Sequence, residues 1–215
     1  MVFQGRRLIY IMLFAGVLGL LGGFLFYQGL LGKKTAPEPS IPGFLWPQPK
    51  ALTSFVLNDQ EHQSFGLQQL KGKWTFLFFG YTHCPDVCPL TLSVLAEVER
   101  RLAESPQGVQ DVQVVFVSLD PKRDTPKKLR EYVHYFHHDF LGVTGGKEQL
   151  TELTRQLGIV YAVSDPAQSG DYLVDHSASV LLIDPQTRLV AVFGMPHDAS
   201  TIANRFTAIR EFLEG

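Results

Sequence analysis

Cys84 and Cys88 are the only cysteines of the chain, and three residues separate them in Cys84-Pro85-Asp86-Val87-Cys88-Pro89. Two thiols at this spacing have two chemistries open to them: they can grip one soft metal ion, or close a reversible disulfide. Two thiolates bind copper(I) but leave it exposed. An imidazole as third ligand closes a trigonal site for copper(I) that also accepts copper(II). Zinc wants a closed tetrahedron, so a structural zinc site here needs two histidines beside the two sulfurs.

The elements around the motif must aim those sulfurs. Trp74 to Gly80 reads as a buried strand, and Leu90 to Leu102 has a helical stripe at Leu92, Leu95, Ala96, Val98 and Leu102. Proline is tolerated at a first helical position, so Pro89 predicts a helix that starts there, with Cys88 as N-cap and Cys84 in the loop before it. Both sulfurs would then lie near the positive end of a helix dipole, which favours thiolate.

The third ligand is open among the histidines. His176 stands in a polar hinge, Asp171 to Ser179, ahead of an apolar strand at Val180 to Ile183. His83 adjoins Cys84 and is expected to point away from it. His134, His137 and His138 have the helical spacing of a metal pair but also fit a solvated helix face, the preferred reading. Met195 and His197 flank Pro196 in a loop, and His62 sits in a polar turn.

Beyond the motif, strands and helices alternate: a small hairpin at Phe55 to Phe65, a Val-rich strand at Asp111 to Leu119, a helix capped by Thr125 with Pro126 at its first position, a short strand at Phe140 to Thr144, and a helix at Lys147 to Leu157 stopped by Gly158. Ile159 to Val163 reads as a strand, Ala178 to Ile183 and Leu189 to Phe193 pair across the turn Asp184–Thr187, and Ala199 to Leu213 is a closing helix. This predicts an α/β fold, a mixed sheet flanked by helices, with the cysteine motif at the carboxyl end of a strand, where such folds place sites.

Ahead of this domain, Leu8 to Leu31 carries no charge and is long enough to span a bilayer. Residues 1–34 are expected to be an N-terminal transmembrane anchor, 35–51 a Pro-rich tether (Pro37, Pro39, Pro42, Pro47, Pro49), and 52–215 the globular domain. The expected location is the inner (cytoplasmic) membrane, single-pass, with the domain on the periplasmic or equivalent side. The 19 Lys and Arg less Arg6 and Arg7, against 21 Asp and Glu, leave residues 33–215 at −4, and no basic stripe offers itself to nucleic acid.

Phe79-Gly80-Tyr81-Thr82-His83-Cys84-Pro85-Asp86-Val87-Cys88-Pro89 resembles the signature of the SCO/SenC family of membrane-anchored copper proteins with a thioredoxin-like fold. Ser118 to Pro126, Leu141 to Gly145 and Tyr172 to Ser177 resemble its further blocks, in the right order. The resemblance spans about residues 52–213. It implies copper held by Cys84, Cys88 and His176, with Asp175 as a candidate to orient His176, and Asp120, Arg123 and Asp124 building a turn. It further implies delivery of copper to the binuclear centre in cytochrome c oxidase subunit II, or preparation of the thiols there, with other copper chaperones or thioredoxin-like reductants as further partners. One departure is that only Asp165 to Asp171 stands where the family often carries a longer acidic insertion.

The preferred reading is a metallochaperone rather than an enzyme. The alternative is a thiol–disulfide oxidoreductase with Cys84 and Cys88 as its redox pair. A dedicated thioredoxin-type enzyme has two residues between its cysteines and a proline before the following core strand. Here there are three residues, and Asp175-His176-Ser177 at the strand. A peroxidase motif is absent, since no proline precedes Tyr81-Thr82-His83-Cys84 at the needed place.

Overall fold

The computed structural model describes residues 15–16, 19–24, 45–105, 110–164 and 172–214. The chain divides into two units, Met1–Ser40 and Ile41–Gly215. Most of the stretch expected to be a membrane anchor lies outside the described residues, and among the described residues no helix is long and apolar enough to cross a membrane.

The second unit is built on an eight-stranded sheet of order β1-β10-β9-β4-β5-β6-β2-β3. Its centre is β4 (Trp74–Gly80), parallel to β5 (Val112–Ser118) and antiparallel to β9 (Val180–Ile183). β5 continues in parallel to β6 (Leu141–Thr144), and β2 (Val56–Asp59) and β3 (Ser64–Gly66) close that edge as an antiparallel hairpin. On the other side β10 (Arg188–Phe193) turns back along β9 and pairs with β1 (Leu45–Ala51). A separate two-stranded sheet joins β7 (Tyr161–Val163) to β8 (Val174–His176).

β4 is buried along its whole length because both of its faces are covered, which is why it reads as an unbroken apolar run rather than an alternation. Trp74, Phe76 and Phe78 join one core with α2 (Val87–Ala103), α3 (Pro126–Phe136) and α5 (Ala199–Glu214). Leu77 and Phe79 join the opposite core, where Leu150, Leu153 and Leu157 of α4 (Lys147–Leu157) pack, while a single turn, α1 (Leu67–Leu70), follows β3. Trp74 meets Phe206 of α5 edge-on at 5.4 Å between ring centroids. Cys84 packs against both cores, at the seam where β4 ends.

The mixed, helix-flanked sheet is as expected, and so are the Thr125 cap, whose side chain accepts from the Lys128 N–H, and the left-handed Gly158 that ends α4 at φ 70°. Two local expectations are corrected. Residues 45–51, expected within the tether, form strand β1. Pro47 and Pro49 lack an N–H and are tolerated because β1 is an edge strand whose register shifts between Leu45 and Lys50. The helix after the cysteines begins at Val87, so its N-cap is Asp86, not Cys88. Pro89 is accepted inside the first turn because the residue four before it, Pro85, lies outside the helix and its carbonyl is not in the way.

Candidate metal centre

The site starts from a glycine. Gly80 ends β4, and a Cβ there would lie 2.6 Å from the Cys88 sulfur and 2.7 Å from the Phe116 ring. The strand end is therefore hollowed to admit Cys88, which is fully buried in the first turn of α2. Cys84, half-buried, is reached by a turn in which its N–H donates to the Tyr81 carbonyl at 3.2 Å. The Cys88 N–H in turn points at the Cys84 sulfur, 3.5 Å away.

A buried carboxylate pins this loop. Asp124, with no exposed surface, accepts from the Thr82 N–H at 2.8 Å, the Thr82 hydroxyl at 2.6 Å and the Ser118 hydroxyl at 2.6 Å. Asp120 accepts from Arg123 and from the Tyr172 hydroxyl, the latter at 2.6 Å. These residues build the turn and its braces, as expected of them.

His176 arrives from β8. Its Nε2 lies 3.5 Å from the Cys88 sulfur. Its Nδ1 lies 3.1 Å from the Ser177 carbonyl, which can only accept, so the proton sits on Nδ1 and Nε2 offers its lone pair to the sulfurs. Phe78 and Tyr81 hold the ring by edge contacts at 6.2 Å each. Asp175, a candidate to orient this ring, is exposed, and the Ser177 carbonyl takes that part. β8 itself, expected as a hinge, is a strand that sets the ring opposite Tyr161.

The result is one donor atom from each of Cys84, Cys88 and His176, all within 4.8 Å of one another. Two sulfurs and an imidazole suit copper(I), and three ligands fall short of the four of structural zinc. Both thiols are free. Burial raises the Cys88 thiol well above its usual value, so the expectation that helix-dipole placement leaves it as thiolate does not hold without a metal. Burial likewise lowers His176, keeping its ring neutral and ready to ligate.

The other histidines stand apart from this group. His83 is exposed and its Nε2 is 2.7 Å from the Lys128 ammonium. His197 meets the Thr91 hydroxyl at 3.1 Å, and Met195 is exposed. Sequence reasoning gave no signal for the Ser177 carbonyl, nor for Tyr132, whose buried hydroxyl has no hydrogen-bond partner. The need for Gly80 was equally hidden, since the clash it avoids comes from residues far along the chain.

Comparison with known proteins follows the same residues. The SCO1/SenC family matches residues 47–211. Protein SCO1 homolog 1, mitochondrial, of Arabidopsis thaliana is 41% identical over 137 residues, 64% of this chain but 40% of that protein, so the chain matches less than half of that relative's length. An SCO2-like protein of Rickettsia felis is 36% identical over 162 residues, covering 75% of this chain and 74% of its own. The crystal structure of Arabidopsis thaliana ScoI with copper bound superposes with a TM-score of 0.69 at 36% identity, over 76% of this chain and 98% of that one.

Proposed function

The chain belongs to the SCO1/SenC family, and on that premise we propose that it carries one copper ion on Cys84, Cys88 and His176 and passes it to a cysteine-bearing acceptor. The observation that carries this reading is the convergence of two sulfurs and a tautomer-fixed imidazole within 4.8 Å. The copper-bound relative supports the choice of metal. Transfer proceeds by ligand exchange: acceptor thiolates approach over half-buried Cys84, and Cys88 and the imidazole let go in turn. The pull comes from the acceptor's own affinity. The acceptor is proposed to be the binuclear copper centre of cytochrome c oxidase subunit II, a choice that rests on the family resemblance.

The chain is further proposed to be held at the inner membrane by residues 8–31, with its domain on the non-cytoplasmic side. Residues 19–24 are helical, and Leu20, Leu21 and Phe24 are exposed, as a lipid-facing segment requires.

A second reading, reduction of the acceptor's disulfide, is favoured by one observation: the Cys88 N–H aimed at the Cys84 sulfur. Burial keeps Cys88 protonated, which leaves half-buried Cys84 as the sulfur within reach of an acceptor. Cys84 would then attack, forming a mixed disulfide. Cys88, on losing its proton, would displace the acceptor dithiol and leave Cys84–Cys88 oxidised.

The deciding measurement is copper stoichiometry with X-ray absorption on the reduced full chain in detergent. One copper per chain with two sulfur and one nitrogen neighbours is expected, and Cys84→Ser or Cys88→Ser should abolish tight copper(I) binding. A chain that stays a metal-free dithiol, or a variant that still holds stoichiometric copper, overturns the copper reading.

A further inference from the structure

The histidines at the end of α3 take no part in the cysteine site: His134 and His138 are exposed, as a solvated face requires, and His137 is half-buried. His134 is engaged by Gln60, nitrogen to nitrogen at 3.0 Å. His137, His138 and Asp139 instead offer three donor atoms all within 4.8 Å of one another, with His138 Nε2 and Asp139 Oδ2 3.1 Å apart. They stand at the carboxyl end of α3, where the last carbonyls favour a positive charge.

A further carboxylate, on α2 and outside that mutual 4.8 Å set, approaches one of its members. Glu99 places Oε2 3.3 Å from His137 Nδ1. That oxygen is sealed from solvent and has no hydrogen-bond donor. His137 Nδ1 already accepts from the Asp139 N–H at 3.3 Å, so it has no proton to give. Glu99 Oε2 therefore receives no proton from this ring, and its acceptor is left for a cation held by the neighbouring cluster. The four residues line one open cleft of about 770 Å³.

We propose that Glu99, His137, His138 and Asp139 form a second metal site, for a borderline divalent cation of the zinc or copper(II) class. Two imidazoles and two carboxylates are a nitrogen–oxygen set for such ions, with no sulfur to favour copper(I). Bonds of roughly 2.0–2.1 Å in a tetrahedron bring donor atoms to about 3.3 Å from one another. His138 and Asp139 side chains are 80% and 67% exposed, so they turn inward without repacking the core. The site is independent of the cysteine pair and of its copper.

The test is zinc titration of the reduced full chain in detergent, with the H138A/D139N variant beside it. Both positions are exposed and outside the core, and the cysteines are unchanged in both proteins. The wild type should take up one more equivalent of zinc than the variant, at micromolar zinc, with ring-proton shifts at His137 and His138. Glu99→Gln alone should weaken that equivalent by at least about tenfold. Equal uptake by wild type and H138A/D139N overturns the proposal, whether the extra zinc is absent from both or retained by both. So does a Glu99→Gln variant that binds as tightly as wild type, which would mean that a proton alone satisfies Glu99.

Discussion

Hydrogen is the largest side chain that residue 80 accommodates, since a methyl there would press on Cys88 and Phe116 at 2.6 and 2.7 Å. Gly80→Ala should cost about 1–3 kcal/mol in urea unfolding and weaken copper binding in the same variant. Unchanged affinity with lowered stability would mean that the sulfur moves freely. His176→Ala should keep the fold and the two sulfurs but lose the copper(II) absorption and EPR signal of the wild type, and identical spectra would rule out the imidazole. The titrating groups give the metal-free chain a pH profile. Burial lowers His176 and His197 from 6.5, so the unfolded state binds protons more readily; stability is whole above that pH and falls as the pH drops below it. Cys88 is raised from 9.0, so its contribution is whole below pH 9.0 and is lost as the pH climbs beyond. Urea midpoints at about pH 5, 7.5 and 10 should trace a dome, with a flatter acid limb in His176→Gln. At this scale the cysteine spacing was legible at once. The protonation of Cys88 was not, because a helix dipole can be read from order along the chain while burial depends on Gly80 and Phe116, from two separate strands, meeting at the sulfur.

Between residues and sheet lie the braces that carry the site. The Tyr172 hydroxyl donates to Asp120, and Arg123 lies over the Tyr172 ring at 3.5 Å, so the segment entering β8 is tied to the turn after β5. Tyr172→Phe should speed amide exchange across residues 172–177 and reduce copper(II) affinity, leaving two-sulfur copper(I) binding intact. Unaltered exchange would show that the hydroxyl braces nothing. Asp124→Ala strands three donors, two from half-buried Thr82 and one from buried Ser118, and should cost about 3 kcal/mol, read by thermal unfolding. α3, α4 and their caps could be placed from Thr125, Pro126 and Gly158 because capping is local chemistry. β8 could not: Val174, Asp175 and His176 make a three-residue strand with a charge in its middle, and only its pairing with Tyr161–Val163 across the intervening chain defines it.

For the molecule as a whole, the sheet's outer boundary sets where the domain begins. β1 covers β10, and the Leu52 N–H continues that edge by donating to the Thr187 carbonyl at 2.9 Å. A chain starting at residue 41 should fold as a soluble monomer, whereas one starting at residue 52 bares the β10 edge and should self-associate. Size-exclusion profiles of the two decide it, and matching monomers would make β1 dispensable. The helix-flanked sheet was readable because β4 and β5 are apolar on both faces and their connecting helix is amphipathic. The edge strand was hidden because prolines at 47 and 49 look like a linker until a neighbour is known. One asymmetry of this architecture bears on how the ion leaves. The thiols sit in the turn and helix start that follow the buried central strand, whereas the imidazole hangs on a small outrigger fastened by a tyrosine. Grip and release thus sit on separate pieces of chain, and changes confined to the outrigger would retune the lifetime of the loaded state while leaving the soft anchor untouched.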